Sequence, residues 1–233
     1  MDIELSLVMP CYNEQDQIES AVKNYISEMK KTGKKFEIVL VNDGSLDNTK
    51  GIMENLSNQY TEISTIHFPE NRGYGCAVRA GLAVSKGKIL GWIDGDGQFD
   101  ADVIIKAYDL LQSGKCGVCK GRRIIREDGT VRYVASIGYT ALFNLFFLNT
   151  IKDTNSKPKL MTRDCYESIK DKLVSKHWFI DSEVLIRSMR EGFNILDAPV
   201  AFRSRSGGKS TVSFKTVIEY IINIIKMRFG LMR

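Results

Sequence analysis

Two aspartates and a glutamine fall within five residues in Asp94-Gly95-Asp96-Gly97-Gln98, directly after the apolar run Ile89-Leu90-Gly91-Trp92-Ile93. The intervening glycines let the backbone turn tightly, so these oxygen ligands can converge on a hard divalent cation, Mg2+ or Mn2+, whose remaining positions go to water and phosphate oxygens. Read alone, the pentapeptide is better taken as a solvated acidic turn, and the surrounding motifs have to decide between the two. Other residues with chemistry to offer are Tyr12 and Glu14 after Pro10, Asn42 and Asp43 before Gly44, the basic run Arg122, Arg123, Arg126 and Arg132, and the acids Asp153 and Asp181.

Bringing such residues together requires strands that end at one edge. An apolar stretch over 4–10 is stopped by proline and followed by a polar turn and a helical pattern over 17–30. A second strand over 36–41 leads into a turn over 42–49, where Ser45 or Asp47 is placed to cap the next helix. A third strand over 64–68 and a helix over 76–85 precede the strand that carries Asp94. This alternation predicts an α/β fold with a mostly parallel sheet, and it brings the loops 10–14, 42–45, 71–75 and 94–98 to one carboxyl edge able to hold a nucleotide. Gly73-x-Gly75 lacks the third glycine of a dinucleotide fingerprint, with Val78 in its place, which argues against a dehydrogenase.

The 233 residues suffice for one large α/β domain, and 43% hydrophobic with 26% charged residues describes an ordinary folded chain. A net charge of +5 suits anionic partners such as phosphates or an acidic membrane surface, without calling for nucleic acid. Five cysteines without framework spacing and a start without a signal-peptide pattern predict a reducing, cytoplasmic setting; Cys116-x-x-Cys119 reads as structural. No charged residue occurs over 133–151, a run read as an amphipathic helix dipping into a bilayer face rather than spanning it, with a buried core helix as the alternative. The tail over 214–233 has a basic amphipathic pattern suited to an anionic membrane surface; a dimer-forming helix, making the chain a homo-oligomer, is its other reading.

In order along the chain, Val8-Met9-Pro10-Cys11-Tyr12-Asn13-Glu14, Val41-Asn42-Asp43-Gly44-Ser45-x-Asp47-x-Thr49, Asn71-x-Gly73-x-Gly75-x-Ala77 and Asp94-x-Asp96-x-Gln98 resemble the motifs of the family two inverting glycosyltransferases. The resemblance implies a GT-A nucleotide-sugar-binding fold, with a central mostly parallel sheet flanked by helices, and here a C-terminal amphipathic helix. It further implies that Pro10, Tyr12, Glu14, Asn42 and Asp43 bind base and ribose, and that Asp94, Asp96 and Gln98 hold Mg2+ or Mn2+ against the diphosphate. The chemistry suits the residue types, since a metal and cations can stabilise a departing nucleoside diphosphate without acid catalysis.

The second half resembles the dolichol-phosphate mannose synthase and polyprenyl-phosphate glycosyltransferase group, which gives Arg123 and Arg132 a role as phosphate contacts. Asp153, Ser156 and Lys159 match an Asp-x-x-Ser-Gly-Phe-Arg-like motif of that group, and Lys157-Pro158 departs from its Gly-Phe. Asp181 corresponds to an acidic segment near the acceptor; it could deprotonate a sugar hydroxyl, or simply favour a helix N-terminus. Arg205, Gly208 and Ser210 match an Arg-x-x-Gly-x-Ser loop, with Arg205 as a diphosphate clamp.

The expectation is therefore a glycosyltransferase domain over 1–210 and a membrane-surface helix over 211–233. Its activity would be metal-dependent, inverting transfer from a nucleoside diphosphate sugar to polyprenyl phosphate by a cytoplasmic protein peripheral at the inner membrane face. A saccharide hydroxyl acceptor with Asp181 as base, or a non-catalytic nucleotide-sugar-binding protein, are the alternatives.

Overall fold

The computed structural model describes residues 2–127, 130–203 and 214–232. Strand β1 (Leu5–Cys11) is buried along its whole length and pairs in parallel with β2 (Phe36–Asn42) on one side and β4 (Ile89–Trp92) on the other. β3 (Ile63–His67) extends the sheet beyond β2. β6 (Lys159–Thr162) runs antiparallel between β4 and β5 (Val118–Arg126), and β7 (Ile195–Phe202) closes the far edge in parallel with β5. The sheet order β3-β2-β1-β4-β6-β5-β7 reverses direction of growth between β1 and β4, the kind of switch point outside which open α/β sheets bind ligands.

Alternation along the strands divides the core into two layers. Leu5, Leu7 and Met9 of β1 and Ile38 and Leu40 of β2 face one cluster, which α1 (Ile18–Lys31), α2 (Thr49–Gln59) and α4 (Asp102–Gln112) cover; Val8, Val39 and Val41 face the other, with α3 (Tyr74–Val84), α6 (Arg163–Ile169) and α7 (Ile180–Arg190). Helices on both faces explain why these strands read as continuous apolar runs. Gly91 is required where β4 meets β6, because a Cβ there would lie 1.9 Å from the Lys159 carbonyl oxygen.

The helix α3 begins at Tyr74, two residues before the predicted start, and this puts the Tyr74 ring at the sheet edge. At the start of α2, Asp47 accepts from the Thr49 amide at 3.0 Å and its hydroxyl at 2.5 Å, while Ser45 turns to the neighbouring loop. The 133–151 run forms most of α5 (Thr130–Phe147), and the tail forms α8 (Phe214–Arg228). These helices pack together through Tyr139 and Tyr220, whose ring centroids are 4.6 Å apart, and the Tyr220 hydroxyl lies 2.6 Å from Ser182 Oγ on α7. Phe143 of α5 and Tyr220, Ile224 and Met227 of α8 are buried in the second cluster, so the tail helix packs on the core through these residues. On α5, Tyr139, Leu142, Phe146 and Phe147 are partly buried against the same cluster, whereas Val134, Ile137 and Leu145 are exposed; among the described residues no helix is long and apolar enough to cross a membrane.

Candidate active site

The loops that follow β1, β2 and β3 are tied to one another by backbone and side-chain hydrogen bonds. Asn13, at φ 55°, accepts from the Leu46 amide at 2.8 Å and donates its own amide to Ser45 Oγ at 3.0 Å. The Glu14 amide donates to Thr49 Oγ1 at 2.8 Å, and Gln15 Oε1 accepts from the Asn48 amide at 2.9 Å. Asn42 Oδ1 accepts from the Ser45 amide at 2.9 Å. Asp43 joins this pair of loops to the third: its carboxylate accepts from the Arg72 amide at 2.7 Å and the Gly73 amide at 3.0 Å. Burial raises the Asp43 pKa against the pull of those amides. Pro10 is buried at the end of β1, whereas the Tyr12 ring is exposed beside the laced loops. Pro10, Tyr12, Glu14, Asn42 and Asp43 are thus brought to one edge, as a nucleoside pocket requires.

Asp94, Asp96 and Gln98 stand on the loop after β4, beside that edge. Asp94 Oδ1 accepts from the Tyr74 hydroxyl at 2.5 Å, and Asp96 Oδ1 accepts from the Gln98 amide at 3.1 Å. Gln98 donates Nε2 to the Arg203 carbonyl at 2.9 Å, which turns its Oε1 into the role of acceptor or ligand. Gly97 sits at φ +70°, the left-handed region that allows the turn. Negative charge accumulates here: burial, then Glu14, Asp94 and Asp96, push the buried Cys11 thiol well up, and burial with Asp96, Asp94 and Asp100 does the same to the Tyr25 hydroxyl. Among the described residues no group of three His, Cys, Asp or Glu forms a complete cage. Two carboxylates and an amide oxygen in a field of excess negative charge nevertheless fit a hard cation that takes its other ligands from water and phosphate.

Beyond β4 lies a buried basic centre. Asp181, 2% exposed, is held by Lys157 Nζ at 2.6 Å and Lys159 Nζ at 3.1 Å. Burial pulls the Lys159 ammonium down to about 7 despite Asp181, whereas at Lys157 the attraction of Asp181 and then Asp94 outweighs burial and raises its pKa. Both oxygens of Asp181, expected as a base toward an acceptor hydroxyl, are held by lysine side chains away from solvent, and Asp181 anchors those two lysines. Arg123 pairs with Asp153 through Nε at 2.8 Å and Nη2 at 2.5 Å, with a further contact from Nη2 to Ser136 Oγ at 3.1 Å. Arg123 and Asp153 are therefore first of all a bidentate ion pair between β5 and the loop before β6, beside which phosphate contacts have to be made.

Lys120 is buried against Asp197 at 2.6 Å, and its ammonium also donates to the Lys152 carbonyl oxygen. Arg132 lies on α5. Arg205 and Ser210 fall within 204–213, outside the described residues, a stretch that follows directly on the Gln98 to Arg203 contact. Cys116 and Cys119 are buried free thiols, Cys119 pushed up to about 12 by burial, in keeping with a structural reading. Sequence reasoning missed Tyr74, Trp178 and the site role of Lys157; only Lys157 left a trace, as the departure from Gly-Phe.

The sequence profile described as "Glycosyl transferase family 2" matches residues 6–178. The dolichyl-phosphate beta-glucosyltransferase ALG5A of Trichomonas vaginalis is 31% identical over 237 residues, an alignment covering 97% of this chain and 73% of that protein. The dolichyl-phosphate beta-glucosyltransferase of Saccharomyces cerevisiae is 30% identical, with 93% of this chain and 72% of that protein covered. Among solved structures, glucosyl-3-phosphoglycerate synthase from Mycobacterium tuberculosis, in complex with Mn2+, UDP and glucosyl-3-phosphoglycerate, superimposes with a TM-score of 0.75 at 18% identity, covering 98% of this chain and 80% of that one. That likeness shows the fold, a GT-A arrangement with the mostly parallel sheet described above. By profile and by relatives, the chain belongs to glycosyl transferase family 2 and is a glycosyltransferase.

Proposed function

We propose that this glycosyltransferase moves a glucosyl group, with inversion, from a nucleoside diphosphate sugar to the phosphate of a polyprenyl phosphate. The observation that carries the reading is the adjacency of two opposite charge clusters. β4 pairs with β6 so that Trp92 lies opposite Lys159, and Asp94, just past β4, is near enough to Lys157 to help raise its pKa. An acidic seat for a cation next to a basic centre suits a reaction in which two phosphate groups must approach one anomeric carbon. The relatives named above act on dolichyl phosphate and glucose by their names, which favours the same acceptor class and sugar here.

Bound at Asp94, Asp96 and Gln98, Mg2+ or Mn2+ would neutralise charge on the departing diphosphate. The laced loops over 10–15 and 42–49 hold base and ribose, and Asp43 fixes their distance from α3. Lys157 supplies a positive potential on the acceptor side, to which Lys159 adds when protonated, and Arg123, Arg132, Arg205 and Ser210 are the further residues proposed for phosphate contacts. A lipid phosphate is already ionised and needs no base, in agreement with an Asp181 whose oxygens are held by lysines.

The membrane reading rests on the exposed apolar residues of two helices. Val134, Ile137 and Leu145 of α5 and Ile218, Ile222 and Ile225 of α8 are exposed, and Lys226 and Arg228 are exposed on the same tail helix. A patch of this kind on a chain that uses a lipid acceptor suits peripheral docking at the cytoplasmic face, with the basic residues toward anionic headgroups. To test the function, purified protein with Mn2+ is incubated with UDP-glucose, GDP-mannose and other nucleotide sugars, each offered a short polyprenyl phosphate and a disaccharide. Lipid-linked glucose is the expected product; transfer to the disaccharide alone would sink the lipid assignment.

A further inference from the structure

Tyr74 stands between Gly73 and Gly75, and no donor or metal role above depends on it. The structure nevertheless gives it contacts from three directions. Its ring stacks on Trp178, with centroids 4.2 Å apart and planes inclined by 20°. Lys157 Nζ lies 5.3 Å from the centroid of the same ring and is itself fixed by Asp181 at 2.6 Å. With the ring so held, the hydroxyl donates to Asp94 Oδ1 at 2.5 Å. Charge-assisted hydrogen bonds of this length are strong and directional, and one of them on Oδ1 restrains the carboxylate, while no described residue hydrogen-bonds Oδ2.

We propose that Tyr74 is a positioning residue for the Asp94 carboxylate, with Trp178 and Lys157 holding its ring. The affinity of the site for a divalent cation then depends on residues 157 and 178, which supply no ligand themselves. This rests on the reading of Asp94 as a metal ligand. Carboxylates that bind metals are oriented by hydrogen bonds from a surrounding shell, and loss of such a partner costs about 10 to 100-fold in metal affinity or activity. The arrangement also links the two halves of the site, since Lys157 and Trp178 belong to the acceptor-side loops while Asp94 belongs to the donor side. A purely structural stack, in which Tyr74 and Trp178 only dock the loop before α7 on α3, predicts that the hydroxyl is dispensable.

The test is a titration of the full chain with Mn2+ in the presence of UDP, reading free Mn2+ by electron paramagnetic resonance, together with thermal melting. Tyr74→Phe keeps the ring and removes the hydroxyl; it should weaken Mn2+ binding by about tenfold while the protein melts cooperatively near the wild-type temperature. Trp178→Leu keeps the hydroxyl but frees the ring and should weaken binding by about threefold, as a partner one step further out. Asp94→Asn is measured alongside. If Asp94→Asn leaves Mn2+ affinity unchanged, the metal reading fails and the proposal with it. If Asp94→Asn weakens binding while Tyr74→Phe and Trp178→Leu both stay within about twofold of wild type, the metal reading stands and the positioning role is overturned. Should Tyr74→Phe fail to fold, Trp178→Leu and Lys157→Met carry the same comparison.

Discussion

Arg123 and Asp153 show how a residue read from sequence as a substrate contact can carry a structural duty as well. Both side chains are 10% exposed, and the guanidinium meets the carboxylate at two points. Removing one partner leaves the other charge half-desolvated, so Arg123→Leu is expected to cost about 3 kcal/mol in urea unfolding, and Arg123→Leu with Asp153→Leu to recover much of that loss. A single substitution costing under about 1 kcal/mol would show the pair to be ornamental to the fold. Lys159 gives a pH signature. Its pKa falls to about 7 in the folded chain, so above that pH the folded state releases a proton that the unfolded lysine, near 10.5, retains. Stability from this group therefore rises as pH increases from 7, and the gain is complete only above the unfolded value. Comparing wild type with Lys159→Met at pH 7 and at about 8.5, where the cysteines titrate alike in both proteins, should show wild type gaining on the variant; a constant gap would contradict the shifted lysine. At this scale Asp94, Asp96 and Gln98 were legible because ligand type and glycine spacing are local. Tyr74, Lys157 and Trp178 were not, since the contact joining them crosses a hundred residues of chain and leaves no spacing to read.

The elements of the first half follow from local rules, as do the helices α5 and α8, whereas the strands of the second half do not. Strands buried on both faces and separated by amphipathic helices reveal β1 to β4 and the edge where their loops meet, with boundaries displaced by one or two residues. β6 has four residues and is inserted antiparallel between β4 and β5. Its place depends on tertiary contacts, including the absence of a side chain at Gly91, so the pattern of the chain could not disclose it. Gly91→Ala would set a methyl group against the Lys159 carbonyl oxygen, 1.9 Å from an ideal Cβ. Neither backbone can give way without breaking the β4 to β6 pairing, so we expect a loss of about 3 kcal/mol and a parallel loss of activity, because β6 carries Lys159 toward Asp181. Unchanged unfolding midpoints in that variant would mean that the two strands do not approach so closely. Asp181 belongs to the same lesson: an acid at a helix start can be a base, a dipole partner or an anchor, and only the positions of Lys157 and Lys159 decide among them.

For the molecule as a whole, the donor edge, the basic centre and the exposed apolar face of α5 and α8 form one account of a sugar carried from a water-soluble donor to a lipid. The amphipathic character of both helices was legible in their composition, but their mutual packing through Tyr139 and Tyr220 was not; each helix keeps several apolar residues exposed. Ile222→Glu with Phe229→Glu should lower binding to anionic vesicles by about tenfold or more in sedimentation, while transfer to a short acceptor in detergent is kept; unchanged sedimentation would remove this face from the membrane. The most direct test of the central claim is the product itself. Labelled glucose offered as UDP-glucose with Mn2+ and a short polyprenyl phosphate should appear as a β-linked glucosyl phosphate lipid by nuclear magnetic resonance, and the signal should vanish with chelator and in Asp96→Asn of unaltered melting temperature. An α-linked product, glucose on a sugar hydroxyl instead of the lipid phosphate, or transfer that persists in Asp96→Asn would contradict the account.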